Sequence, residues 1–195
     1  GHMNGIHAPG IKDLSQAIAI SHHTALAHAE ATRVIQSLFS DARTGLALNM
    51  TNYRVDDPSN PELVDLKSLM DAHINRWWLD ASVKGEYPQN LVESYGEWLS
   101  KVILDGDMER LKVKNDFVGV NYYSDSFITT PKPTDKPMYE GGLFPFPQRA
   151  GGETPPPHTD MGWPITPSGL GDLVLRIARD WPEISSIAIT ENGRS

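Results

Sequence analysis

The sequence contains no cysteine and no run of 18 apolar residues. The first absence excludes disulfide bonds, thiolate metal sites and a cysteine nucleophile, and the second argues against a membrane-spanning helix. Basic residues are scarce relative to acidic ones, since 17 Lys and Arg face 25 Asp and Glu and give a net charge of −8. This balance argues against nucleic acid or an anionic membrane as the main partner. With no signal peptide visible either, the sequence predicts a cytoplasmic protein.

What is present fits a globular chain. Hydrophobic residues make up 39% and charged residues 22% of the 195 residues, which is enough for one domain with its own core. Gly1-His2-Met3 resembles a tag-cleavage scar, so a single domain is predicted over residues 4–195. The loop-like start, and a predicted strand that ends five residues before Ser195, predict that this domain is an incomplete piece of something larger.

Helical and strand patterns alternate along the chain. Apolar periodicity predicts helices over residues 13–39, 60–81, 89–104 and 168–181, and short apolar runs predict strands over 45–50, 116–123 and 184–190. Residues 131–167 hold most of the prolines and predict a long loop, with a short hairpin near residues 126–130. Continuous apolar strands alternating with amphipathic helices predict an α/β fold of parallel β/α units.

Polar or aromatic side chains follow each predicted strand, in segments 49–51, 121–123 and 190–192. In parallel sheets, functional residues gather at the carboxyl ends of the strands. Glu191 follows an apolar run, so we expect a partly desolvated carboxylate there, which needs a hydrogen bond or a function. The alternative is a strand-end residue that caps the next turn.

Asn121 and Tyr123 stand two residues apart, so we expect both side chains on one face of the neighbouring strand. The Tyr123 hydroxyl would orient Glu191 and hold it ionised, an arrangement suited to nucleophilic attack on a sugar carbon. Ordinary strand-end polarity is the alternative for both residues.

Ile189-Thr190-Glu191-Asn192-Gly193 resembles the nucleophile motif of glycoside hydrolase family 1, the β-glucosidases and their relatives. Other segments resemble that family in the same order along the chain: 5–10, 45–49, 75–80, 85–88, 116–123 and 162–170. The resemblance covers nearly all of residues 5–193 and implies part of a (β/α)8 TIM barrel. Three parallel β/α units with the long proline-rich loop would correspond to barrel strands five to seven.

The resemblance also implies roles and partners. Glu191 would be the catalytic nucleophile of a retaining β-glucosidase, Tyr123 would hydrogen-bond it, and Asn121 would help to order the sugar site. The substrate would be a β-glucoside or oligosaccharide, with no cofactor, no metal, no nucleic acid and no membrane involved.

This sequence departs from the family in one way that affects the predicted activity. The family's acid/base glutamate lies in an Asn-Glu-Pro motif, and this sequence contains no Asn-Glu-Pro. Retaining hydrolysis needs two carboxyl groups about 5–5.5 Å apart. The sequence therefore predicts the nucleophile half of a site, in a chain that is inactive alone. The alternative is an inactive barrel fragment that serves as an assembly or folding unit. An incomplete barrel exposes its sheet edges, so we expect this chain to associate with further copies of itself or with a complementing barrel fragment.

Two groups of residues suggest a binding site, but a structural or solvated position is the simpler interpretation for each. The spacing of the three histidines on the first helix does not suit a metal site, so packed or solvated positions are favoured for His22, His23 and His28. Packing is likewise favoured over sugar stacking for Trp77, Trp78 and Trp163.

Overall fold

The computed structural model describes residues 8–130, 148–149 and 157–193. These residues form two compact units. One is built from the chain up to Thr44 and from Arg76–Asn115, and the other from Gly45–Asn75 and from Asp116 onward. The single domain over 4–195 stays a prediction. Residues 1–3, predicted to be a tag scar, lie outside the described residues, as do the segments 131–147 and 150–156 of the proline-rich loop.

The helices are α1 (Leu14–Leu38), α2 (Pro61–Asp71), α3 (Trp77–Leu79), α4 (Gln89–Tyr95), α5 (Glu97–Ser100), α6 (Asp107–Leu111) and α7 (Pro167–Asp180). The strands are β1 (Gly45–Asn49), β2 (Tyr53–Val55), β3 (Phe117–Asn121), β4 (Ser126–Ile128), β5 (Gln148–Arg149) and β6 (Ile187–Glu191). None of the described helices is both long enough and apolar enough to cross a membrane.

A parallel sheet in the order β1-β3-β6 is the centre of the second unit. Its strands agree with the three predicted strands, so the α/β class with parallel strands is confirmed. The strands approach closely at Gly119, where a Cβ atom would lie 2.9 Å from Thr190 Cγ2 and 3.2 Å from Ala47 Cβ. Glycine is therefore needed at this point of the central strand.

The two faces of this sheet differ in exposure. Val118 and Val120 are fully buried on one face, as expected for β-branched residues packed in a core. The other face is open, and Asn49, Thr190 and Glu191 are exposed on it. The open face therefore carries the polar strand ends.

A second sheet runs in the order β2-β4-β5. Strand β4 pairs in parallel with β2 and antiparallel with β5. The predicted local hairpin near residues 126–130 is therefore wrong. The partners of β4 lie far from it along the chain, at residues 53–55 and 148–149, rather than within residues 126–130.

The structure confirms the long first helix and corrects two other predicted helices. Asp13 caps α1 by accepting from the backbone N–H of Gln16. The helix predicted over 60–81 extends to Lys84 through two π-helical turns, Ala72–Arg76 and Asp80–Lys84. The helix predicted over 89–104 breaks at Gly96, whose φ of +48° lies in the region that favours glycine.

Candidate active site

The carboxyl ends of the three parallel strands lie side by side. Asn49 pairs with Asn121, and Asn121 pairs with Glu191. The pairing of β3 with β6 is irregular after Val120, because Ile189 pairs with Val120 and Thr190 is then passed over. A bulge of this kind inserts one extra residue and re-aims the side chains beside it.

The structure brings Tyr123 and Glu191 together. The Tyr123 hydroxyl donates a hydrogen bond to Glu191 Oε2. This hydrogen bond, with smaller contributions from burial and from the carboxylate charge, raises the pKa of Tyr123. The phenol therefore keeps its proton at neutral pH and acts as a donor. A backbone hydrogen bond of 2.9 Å from Tyr122 N to Glu191 O ties the two segments together.

Asn121 is held on both its side chain and its backbone. Thr190 Oγ1 donates to Asn121 Oδ1 over 2.5 Å, and Met50 N donates to Asn121 O over 2.9 Å. With its side-chain oxygen engaged, the amide has its two N–H donors to offer to a ligand. Glu191, Tyr123 and Asn121 therefore form one polar group on the open face of the sheet.

The expectation that Glu191 is partly desolvated is wrong, because its side chain is exposed. Strand β6 is an edge strand of the described sheet, and the face that carries Glu191 is open. The carboxylate is thus fixed by its hydrogen bond to Tyr123 rather than by burial.

Trp163 lies beside this group in a turn that precedes α7. Its ring meets the Tyr123 ring edge-on, with centroids 5.4 Å apart and planes at 61°. The turn is closed by hydrogen bonds from Thr159 N to Trp163 O and from Gly162 N to Thr159 O. Trp163 therefore packs on Tyr123 while remaining 38% exposed. Trp77, in the first unit, is a buried core residue stacked on Tyr87 with ring centroids 3.8 Å apart.

Asn75 and Asp125 organise the loops at this edge, and sequence reasoning gave them no role of their own. The fully buried Asn75 side chain accepts from Thr51 N over 3.1 Å and donates to Thr51 O over 2.7 Å. It thereby holds the loop that follows β1. Asp125 is buried after β3 and binds Asn52, Arg54 and Tyr122. Neither a lone Asn on a helical turn nor a lone Asp in a loop gives a sequence signal for such contacts.

The histidines have structural partners in the first unit. Buried His22 lies 2.8 Å from Tyr87 Oη and 3.2 Å from Asp107 Oδ2, and His28 Nε2 lies 3.0 Å from Asn115 Oδ1. These contacts confirm packed positions for His22 and His28. Within residues 8–130, 148–149 and 157–193, three or more His, Cys, Asp or Glu residues are nowhere grouped so as to hold a metal ion.

A parallel α/β sheet with a tyrosine-held carboxylate at its carboxyl edge fits the barrel-type glycosidases. The family model of Glycosyl hydrolase family 1 matches residues 1–195, and the chain belongs to this family.

Curated relatives agree with the family assignment. The chain is 34% identical to Beta-glucosidase A of Acetivibrio thermocellus, over 99% of this chain and 41% of that protein. It is 32% identical to a 6-phospho-beta-galactosidase of Clostridium acetobutylicum, over 99% of this chain and 44% of that protein. The chain thus spans less than half the length of these relatives.

Solved structures support the fold. The psychrophilic beta-glucosidase BglU from Micrococcus antarcticus superposes with a TM-score of 0.86 at 34% identity, covering 100% of this chain and 44% of that one. The family 1 β-glucosidase from Thermotoga maritima gives 0.81 at 26% identity, covering 100% and 40%. These neighbours are TIM-barrel enzymes, and the parallel α/β arrangement of this chain agrees with part of such a barrel.

Proposed function

We propose that this chain supplies the nucleophile half of a retaining β-glucosidase site, with Glu191 as the nucleophile. The observation that carries the proposal is the hydrogen bond from Tyr123 to Glu191 Oε2 at the carboxyl edge of a parallel sheet. The names of the relatives, β-glucosidases and 6-phospho-β-galactosidases, support a β-glycoside or oligosaccharide as substrate. In this proposal the chain forms three parallel β/α units, equivalent to barrel strands five to seven.

The first chemical step uses the two carboxylate oxygens differently. Tyr123 holds Oε2, so Oε1 attacks the anomeric carbon of the sugar. A carbon–oxygen ester bond forms, the glycosidic bond breaks, and the leaving oxygen departs with the bonding electron pair. Water then attacks the anomeric carbon and releases the sugar, the Glu191 carboxylate returns, and a base takes the proton.

Asn121 positions the sugar in this scheme. Because Thr190 engages its side-chain oxygen at 2.5 Å, the Asn121 amide nitrogen faces the substrate as a donor to a sugar hydroxyl. Hydrogen bonds of this kind that strengthen in the transition state contribute several kcal/mol in glycosidases.

The proton for the leaving group comes from outside this chain. The sequence has no Asn-Glu-Pro, the motif that carries the acid/base glutamate in this family. A natural glycoside, whose leaving oxygen needs that proton, should therefore react very slowly with this chain alone. An aryl glucoside with a dinitrophenyl leaving group needs little acid assistance and tests the nucleophile half by itself.

The test is covalent labelling. A dinitrophenyl glucoside with fluorine next to the anomeric carbon reacts slowly in both steps, but its good leaving group lets the first step proceed, so the glycosyl ester accumulates. Mass spectrometry of peptides should place the label on Glu191. Glu191→Gln should take no label, and Glu183→Gln, at another exposed glutamate of the same unit, should label normally.

The second candidate is an inactive barrel fragment that acts as an assembly or folding unit, alone or with a complementing fragment. It is favoured by the missing Asn-Glu-Pro and by the exposed side chains Ile189 and Leu175, which are 46% and 72% exposed. No label on any residue, even after the N-terminal part of a relative is added, would support this candidate over the enzyme. A label on another carboxylate would contradict the role of Glu191.

A further inference from the structure

Asp125 lies in the turn after β3 and is only 2% exposed. Its carboxylate accepts hydrogen bonds from Asn52 Nδ2 over 3.1 Å, from Arg54 Nε, and from the Tyr122 hydroxyl over 2.7 Å. A carboxylate out of water is stable only when its oxygens are bonded in this way. Asp125 therefore fixes the segment 52–54 to the residues that follow β3.

The same turn is bound to the start of α7. Asp125 N donates to Thr166 Oγ1 over 2.8 Å, and the Tyr122 hydroxyl lies 2.7 Å from the carbonyl oxygen of Thr166. Helix α7 approaches so closely that a Cβ atom at Gly169 would overlap Asp125 Oδ1 and Tyr122 Oη. Glycine at this position is thus a requirement of the Asp125 contact.

Tyr123 lies between these anchored residues. On one side Tyr122 is held by its hydroxyl and by a 2.8 Å hydrogen bond from Asn192 Nδ2 to its carbonyl oxygen. On the other side Asp125 is held as described. Trp163, which packs on the Tyr123 ring, lies three residues before Thr166, which accepts the hydrogen bond from Asp125 N. Asp125 therefore contacts Tyr122, which precedes Tyr123, and Thr166, which lies three residues after Trp163.

We propose that Asp125 is a positioning residue that aims the Tyr123 hydroxyl at Glu191 and so directs the attacking carboxylate. The inference rests on the proposed function for its catalytic meaning, but the aiming itself is measurable without any sugar. The competing explanation is that Asp125 only stabilises the fold.

The pKa of Tyr123 separates these explanations, because its hydrogen bond to Glu191 is the leading cause that raises it. A loss of aim returns this pKa toward the ordinary tyrosine value, whereas a loss of stability alone leaves it raised in the folded protein. Ring-carbon NMR of labelled tyrosine follows each of the six tyrosines, and a Tyr123→Phe partner of each variant identifies the Tyr123 signal.

The decisive variant is Asp125→Asn in the full chain, with Asp172→Asn as its matched control. Asp172 also binds Arg54, over 2.9 Å, but its side chain is 53% exposed. We expect the Tyr123 pKa to fall in Asp125→Asn and to stay raised in Asp172→Asn. A Tyr123 pKa that stays raised in folded Asp125→Asn overturns the inference.

Tyr122→Phe keeps the test decisive if Asp125→Asn does not fold. This variant keeps the ring and the carboxylate but cuts the hydroxyl link between Asp125 and Thr166. The Tyr123 pKa should again fall, and an unchanged pKa in this folded variant also overturns the inference.

Labelling by the fluorosugar distinguishes failure of the inference from failure of the proposed function. With aim lost, the labelling rate of Asp125→Asn should fall on the order of tenfold to a hundredfold, as expected for a misplaced reacting group. A wild-type chain that takes no label, yet whose Tyr123 pKa depends on Asp125, contradicts the proposed function and leaves the aiming intact. Normal labelling of Asp125→Asn contradicts the inference alone.

Discussion

Tyr122 and Tyr123 are neighbours in sequence, and each donates a hydrogen bond to a carboxylate, yet their surroundings are opposite. Tyr122 is 2% exposed and binds buried Asp125, whereas Tyr123 is 37% exposed and binds exposed Glu191. The pKa of both phenols is raised, but burial is the leading cause for Tyr122 and the carboxylate hydrogen bond is the leading cause for Tyr123.

Because of this difference, the two pairs are expected to contribute differently to the free energy of unfolding. A buried pair costs free energy when one partner is removed, because the other is left unsatisfied out of water. An exposed pair costs little to break, since water replaces the lost partner. The buried phenol and carboxylate therefore support the scaffold that positions Tyr123, and the exposed pair is free to meet a ligand.

The largest effect is expected from breaking the exposed pair of Tyr123 and Glu191. Glu191→Gln should lower the fluorosugar labelling rate by roughly 10⁴-fold or more, because the attacking oxygen is lost. Its free energy of unfolding, measured by urea titration, should change by about 0.5 kcal/mol or less, as for most exposed positions. A strongly destabilised Glu191→Gln would show that the exposed pair also supports the scaffold.

Breaking the buried pair should cost stability in addition to slowing the labelling. Asp125→Ala leaves the donors on Tyr122, Asn52 and Arg54 without their carboxylate, so the free energy of unfolding should fall by about 3 kcal/mol. Urea unfolding followed by circular dichroism measures this change. Asp172→Asn, which removes a half-exposed partner of Arg54, should cost about 0.5 kcal/mol or less.

Removing the two hydroxyls one at a time sharpens the comparison. Tyr123→Phe should slow labelling about tenfold with little change in unfolding free energy, since one hydrogen bond to the nucleophile is lost. Tyr122→Phe should disturb the aim of Tyr123 and also lower the unfolding free energy by about 1–2 kcal/mol, because a buried hydrogen bond to a charged group is lost. Equal stability losses in the two variants would remove the distinction between the neighbours.

The smallest effect is expected in the first unit, where burial of a titratable side chain makes stability depend on pH. Burial, partly offset by the hydrogen bond to Asn115, lowers the pKa of His28 from its ordinary value of 6.5. The unfolded chain therefore binds a proton more readily, so this contribution to stability is complete above pH 6.5 and is lost as the pH falls through the folded pKa. Unfolding titrations between about pH 7 and pH 5 should show a shallower loss for His28→Gln than for the wild type. A steeper loss would contradict the sign.

The polar group on the open face was predictable because its position follows from the alternation of side chains along a strand and from the alignment of parallel strands. Residues two apart on a strand share a face, and parallel strands bring their carboxyl ends to one edge, so Asn121, Tyr123 and Glu191 were expected together. The same reasoning failed for the exposure of Glu191, because exposure depends on which strands stand at the sheet edge.

The scaffold around that group was not predictable in the same way. Arg54 and Asp125 are 71 residues apart, and Arg54 and Asp172 are 118 apart. Contacts at such separations depend on how loops fold back, which periodicity does not encode. The pairing of β2 with β4 escaped prediction for the same reason, since each strand has three residues and no extended apolar pattern.

The passed-over residue at Thr190 makes the end of β6 sensitive to length. In a regular strand, consecutive side chains point to opposite faces, yet Thr190 binds Asn121 and Glu191 binds Tyr123 on the open face. The side chains of Thr190 and Glu191, the last two residues of the strand, thus both lie on the open face. Shortening β6 by one residue would restore the regular alternation and turn one of these two side chains toward the core. A redesign that regularises this edge for the sake of stability would keep the sheet and erase the site.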